Sequence, residues 1–117
     1  MGLEQRKNKR LPVRLQMEWN GNVRGAKNRD ITSDVSVGGC YVESLNPVSV
    51  GQVLDLGLRL PSTRTLPLRG EVRYHQPNIG FGIKFLGLSR LQRANLEALM
   101  HHIGKRTSAS GPPLVYV

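Results

Sequence analysis

Apolar and polar residues alternate along much of the chain with the two-residue period of strands that bury one face. Val13-Arg14-Leu15-Gln16-Met17-Glu18-Trp19 alternates without a break and Asn20-Gly21 follows as a turn, which predicts a first strand over residues 13–19. A second strand is expected from about residue 23 to 32, where the apolar signal is poor. Asp34-Val35-Ser36-Val37-Gly38-Gly39 then interrupts the pattern and reads as a loop whose adjacent glycines permit backbone angles closed to other residues. Cys40-Tyr41-Val42 resumes a strand, and Asn46-Pro47 breaks it. Leu54, Leu56, Leu58 and Leu60 share one face of the next strand, which stops at Pro61. Leu66, Leu68, Gly70, Val72 and Tyr74 share one face of a further strand, with Arg69, Glu71 and Arg73 opposite. After Pro77-Asn78, the residues Phe81, Ile83 and Phe85 repeat the alternation. Short strands at this spacing predict an all-β-dominated fold, a six-stranded antiparallel β-barrel.

The end of the pattern changes period. Ser89-Arg90-Leu91-Gln92 matches a capping box, and Leu96, Leu99, Met100 and Ile103 fall near one helical face, so a single C-terminal α-helix is expected, with Gly104 as its stop. His101 and His102 then lie near the helix end, where a cation suits the dipole. Three regions result. Residues 1–11 read as a flexible basic arm, since Arg6-Lys7-Asn8-Lys9-Arg10 has almost nothing apolar around it. Residues 12–104 form the barrel and helix. Residues 105–117, with Ser108, Ser110, Gly111, Pro112 and Pro113, read as a flexible tail.

Composition narrows the classes of function. The chain of 117 residues suits one domain, and 38% hydrophobic with 21% charged residues is an ordinary globular balance. No apolar run approaches the length of a membrane span and the amino terminus has no apolar signal core, so a cytoplasmic protein without membrane insertion is expected. The single cysteine, Cys40, excludes an internal disulfide and reads as a small apolar packing residue; with three histidines it makes no metal-ligand spacing. Seventeen Lys and Arg against eight Asp and Glu give +9, which favours a polyanionic partner. A small basic β-barrel that binds DNA or RNA is the alternative this charge allows, but single-strand binders stack bases on several exposed rings, and only 5% of these residues are aromatic. No paired carboxylates, activated nucleophile or metal cluster points to an enzyme.

Two short patterns carry the chemistry: Arg6 and Arg10 as R-x-x-x-R, and Asp34, Ser36 and Gly39 as D-x-S-x-x-G. Taken singly, the first reads as a solvated arm and the second as a turn whose Asp and Ser bond nearby amides. In this order, ahead of a six-strand pattern, they resemble the PilZ domain, a bacterial receptor module for cyclic di-GMP (c-di-GMP). Gly70-Glu71-Val72-Arg73-Tyr74 and Gly80-Phe81-Gly82-Ile83-Lys84-Phe85 also look like the family's closing strands, so the resemblance spans residues 5–103.

The resemblance implies a split-barrel fold in which Arg6 and Arg10 close over Asp34, Ser36 and Gly39, with c-di-GMP as ligand, no cofactor and a downstream protein partner. The residue types suit that ligand. A guanidinium forks to phosphate oxygens or to guanine O6 and N7 and stacks on a purine face. A carboxylate at Asp34 accepts from the N–H donors of guanine's Watson–Crick edge, and the Ser36 hydroxyl can bond base or phosphate. Gly39 leaves room for close approach, with Gly38 beside it as a further contact. Tyr74 occupies a position where some family members place an aromatic, and either stacks on a base or packs in the barrel. Gln5 stands where the family's side chain influences whether one ligand or an intercalated pair is bound.

Overall fold

In the computed structural model, which describes residues 9–21 and 27–109, the described residues form seven strands and one helix. These are β1 (Leu11–Pro12), β2 (Gln16–Asn20), β3 (Asn28–Val35), β4 (Gly39–Glu43), β5 (Val53–Arg59), β6 (Thr65–Gln76), β7 (Gly80–Phe85) and α1 (Arg90–Ala109). All strand pairs are antiparallel, in the order β1-β3-β2-β5-β6-β7-β4, and β4 pairs back onto β3. That last pairing closes six strands into the expected barrel, with β1 as an extra strand on β3 and α1 as the single C-terminal helix.

The alternating leucines and valines account for the closure. Met17, Leu54, Leu58, Val72 and Phe81 point inward and are wholly buried, while their polar neighbours face out. Trp19 meets Phe81 edge to face, with ring centroids 5.2 Å apart, and its indole N–H donates to Asp30 Oδ2 at 2.9 Å. Gln76 to Ile79 make the β6–β7 turn, with Pro77 supplying its fixed φ and Asn78 the positive one, φ 65°. The capping box forms as the sequence predicts: the Ser89 amide donates to Gln92 Oε1 at 2.7 Å and the Gln92 amide to Ser89 Oγ at 3.0 Å. Leu96, Leu99 and Ile103 are buried beneath α1, and burial of such side chains at about 1.5–3 kcal/mol each anchors the helix. It packs on β6 and β1.

Several local expectations change. The second strand spans Asn28–Val35 and runs further than expected, so Asp34 lies in a strand and the loop shrinks to Ser36–Gly38; residues 22–26 lie outside the described residues. Leu11, assigned to the arm, is paired with Val35 in the sheet. The first strand, expected over residues 13–19, begins only at Gln16 as β2, and β1 before it lies along the same edge of β3 with a register that differs by one residue. Buried Thr32 fills the break: its hydroxyl accepts from the Leu15 amide at 2.9 Å and donates to the Val13 carbonyl at 2.7 Å. Tyr74 does not share the inward face of Val72 but is 41% exposed. Finally, α1 does not stop at Gly104. A glycine inside a helix costs only about 1 kcal/mol, and no proline follows until Pro112, so the helix continues to Ala109 and places His101 and His102 well before its end.

Candidate functional site

Two β-bulges build the site. On β3, Thr32 pairs with Val42 but Asp34 pairs with Tyr41, so Ser33 is one residue too many. On β6, Val72 pairs with Ile83 but Tyr74 pairs with Gly82, so Arg73 is extra. In unbroken strands Asp34 would share the inward face of Thr32, and Tyr74 that of Val72; the inserted residue reverses the parity and turns both outward. Tyr41 is also paired with Gly82. A row therefore crosses the outer face of four strands: Asp34, Tyr41, Gly82 and Tyr74 on β3, β4, β7 and β6.

Arg10 lies over this row. Its Nη1 is 3.4 Å from Asp34 Oδ1 and donates to the Tyr74 hydroxyl at 3.4 Å, joining residues from the two bulged strands. The side chains of Arg10 and Asp34 are 23% and 31% exposed, so the pair is half-buried. Burial by itself would lower the Arg10 pKa, but the Tyr74 hydrogen bond and the Asp34 charge more than offset it, and the pKa is raised. Beneath, on the inner face, burial first and the Asp34 charge second push the Cys40 thiol up to about 12, consistent with a packing role.

The two tyrosine rings rest on glycines. A Cβ on Gly82 would lie 2.4 Å from Tyr74 Cε1 and Cζ, and one on Gly80 would lie 2.7 Å from Tyr41 Cε2, so each ring lies across β7 where a side chain is missing. Their centroids are 5.9 Å apart with planes 29° from parallel. The Tyr41 hydroxyl donates to Gln76 Oε1. Burial, followed by the neighbouring Tyr74, Glu43 and Asp34, raises the Tyr41 pKa and holds this hydroxyl as a donor.

Ser36 and the glycines act through the backbone. The buried Ser36 hydroxyl accepts from the amides of Gly38 and Gly39, each at 3.1 Å, and donates to the Gly39 carbonyl at 3.3 Å, which ties the Ser36–Gly39 turn to itself. The Gly38 carbonyl accepts from the Phe85 amide at 2.8 Å and so fixes the turn to the end of β7. Neither glycine has a positive φ, contrary to the sequence expectation. Gly39 is needed for space: a Cβ there would lie 2.1 Å from the Ile83 carbonyl oxygen.

Of the residues singled out in the sequence, Arg10, Asp34 and Tyr74 are brought into direct contact, and Ser36, Gly38 and Gly39 form the turn that follows Asp34. Gln5 and Arg6 lie outside the described residues. Tyr41 was missed, and only its position two residues after Gly39, opposite the Gly80-x-Gly82 pair, hints at it. A separate cleft of about 420 Å³ between α1 and the β5–β6 turn is lined mainly by Leu60, Pro61, Ala98 and Leu99, without arginine or carboxylate. Among the described residues no three His, Cys, Asp or Glu are placed to hold a metal ion, and no helix is long and apolar enough to cross a membrane.

Known proteins share this architecture. The Bacillus subtilis inhibitor of motility MotI/DgrA superposes with a TM-score of 0.69 at 19% identity, over 84% of this chain and 50% of that one. The PilZ domain of YcgR from Escherichia coli, solved with c-di-GMP, gives 0.69 at 12% identity over 92% and 99%. MrkH from K. pneumonia, in a c-di-GMP complex, gives 0.70 at 18% identity over 90% and 54%. The chain spans about half the length of MotI/DgrA and MrkH and nearly all of the YcgR domain, and at these identities the likeness is one of fold. No curated protein matches the sequence. The sequence does match the PilZ domain family over residues 4–102, and with the barrel, the helix and the joined Arg10 and Asp34 in place, the chain belongs to the PilZ domain family.

Proposed function

We propose that the chain is a c-di-GMP receptor module of the cytoplasm that binds its ligand without turning it over and passes the binding event to a protein partner. The observation that carries this reading is the meeting of Arg10 and Asp34 on the outer face, where both bulged strands present their polar groups. Two groups with the chemistry of guanine and phosphate recognition face each other there. An ion pair at a surface contributes about 1 kcal/mol or less, whereas each charge-assisted hydrogen bond to a ligand contributes about 1.5–3 kcal/mol, so an exchange that forms several such bonds favours the ligand. Arg10 moves to a phosphate or to guanine O6 and N7, with Arg6 as its partner, and frees the Asp34 carboxylate for guanine N1–H and N2–H. Ser36, Gly38 and Gly39 hold the turn against which the ligand is seated. The c-di-GMP in the YcgR and MrkH structures supports the ligand class. The oligonucleotide alternative rests on net charge and the basic amino-terminal run.

Calorimetric titration of the purified chain tests the reading. Saturable binding of c-di-GMP is expected, with GMP and GTP competing poorly, because a mononucleotide fills only part of a site for two bases and two phosphates. Equal affinity for GTP, or no heat with c-di-GMP, would refute it.

A further inference from the structure

The proposed exchange at Arg10 and Asp34 leaves the two tyrosine rings unexplained. Packing alone does not require tyrosine at position 41, since a leucine would cover Gly80 as well. What tyrosine adds is a flat π surface of fixed orientation: the ring lies over a bare glycine, and its hydroxyl is tied to Gln76. Tyr74 is fixed in the same way, its ring over Gly82 and its hydroxyl accepting from Arg10 Nη1. Both rings lie on the outer face of the barrel, and Tyr74 is 41% exposed there. Tyr41 is the direct cross-strand neighbour of Asp34, so a planar base laid on its ring turns an edge toward the carboxylate.

We propose that Tyr41 and Tyr74 form a two-ring shelf, built on Gly80 and Gly82, that receives a purine face of the ligand, and that Tyr41 is a binding residue of this chain. The inference rests on the c-di-GMP reading above and assigns the stacking to a residue outside both arginine and D-x-S-x-x-G patterns. Arg10 and Asp34 select the base by its edge. The shelf contributes affinity through the face, which every purine possesses.

Titration of the full chain with c-di-GMP, beside Tyr41→Leu, Tyr41→Phe and Gly82→Ala, tests this. Tyr41→Leu keeps the glycine covered but removes the π face, and should weaken binding by about five- to hundredfold. Tyr41→Phe keeps the face and should retain most of the affinity. Gly82→Ala places its Cβ among Tyr74 ring atoms rather than against backbone, so it should displace that ring and weaken binding with no tyrosine altered. In the wild-type complex the guanine H8 resonance should move upfield through ring current, and this shift should shrink in Tyr41→Leu. Wild-type affinity in Tyr41→Leu and Gly82→Ala would overturn the shelf and leave the receptor reading standing. Failure of the wild type to bind c-di-GMP would overturn that reading and the shelf with it.

Discussion

Arg10 touches two residues that are far from it in sequence, Asp34 and Tyr74, each at 3.4 Å. These contacts lie on the outer face of the barrel, partly buried but outside its apolar core, so binding and stability are largely separable at this position. Arg10→Ala should weaken c-di-GMP binding by about 1.5–3 kcal/mol, roughly ten- to hundredfold, while stability falls by about 1 kcal/mol, the upper end for a surface pair because this one is partly buried. Thermal melts with and without saturating ligand provide the check: the ligand should raise the wild-type melting temperature by linkage and leave the variant almost unmoved. Unchanged affinity in Arg10→Ala would reduce the contact with Asp34 to a surface ion pair.

The elements that matter most are those interrupted by a single residue. Bulges at Ser33 and Arg73 turn Asp34 and Tyr74 outward, and the offset between β1 and β2 is closed by the Thr32 hydroxyl. Thr32 looks ordinary in the sequence, yet its side chain serves the buried Leu15 amide and Val13 carbonyl at once. Thr32→Val preserves shape and removes both bonds. It should cost about 1–3 kcal/mol for each backbone group left without a partner, a large fraction of a small domain's margin. Chemical denaturation of the two proteins measures the difference, and equal midpoints would show that the strands close the offset without the hydroxyl.

Across the whole molecule, the N-terminal strand connects the proposed ligand face to the helix. Leu11 follows Arg10 directly, and a Cβ on Gly104 would lie 3.9 Å from Leu11 Cδ1, so α1 packs beside the chain that carries the arginine. This contact of Leu11 with α1 offers the proposed relay a physical route from Arg10 to the helix. Hydrogen exchange should slow on c-di-GMP binding both at Leu11 and Pro12's neighbours and in the half of α1 around Gly104, with the β5–β6 hairpin unchanged. Protection confined to the ligand face would show that α1 does not take part in the response.

Much of this was legible from local chemistry. The alternation of Leu54, Leu56 and Leu58, or of Phe81, Ile83 and Phe85, determines which face is buried whatever the partner strand, and the Ser89–Gln92 box caps α1 through groups three residues apart. Arg10, Asp34 and Ser36 were singled out through the family resemblance of their two short patterns, which are local in the sequence. The direction in which Asp34 and Tyr74 point was decided elsewhere. A bulge exists only as a mismatch between two strands, so Arg73 becomes the extra residue through the pairing of β6 with β7, and Ser33 through that of β3 with β4. The same holds for Gly39, required by the Ile83 carbonyl, and for Tyr41, which acquires its place from Gly80 on another strand and from Gln76, 35 residues away. Patterns within one strand are written in its own residues, whereas register between strands is a property of the closed barrel, and it is register that assembles the site.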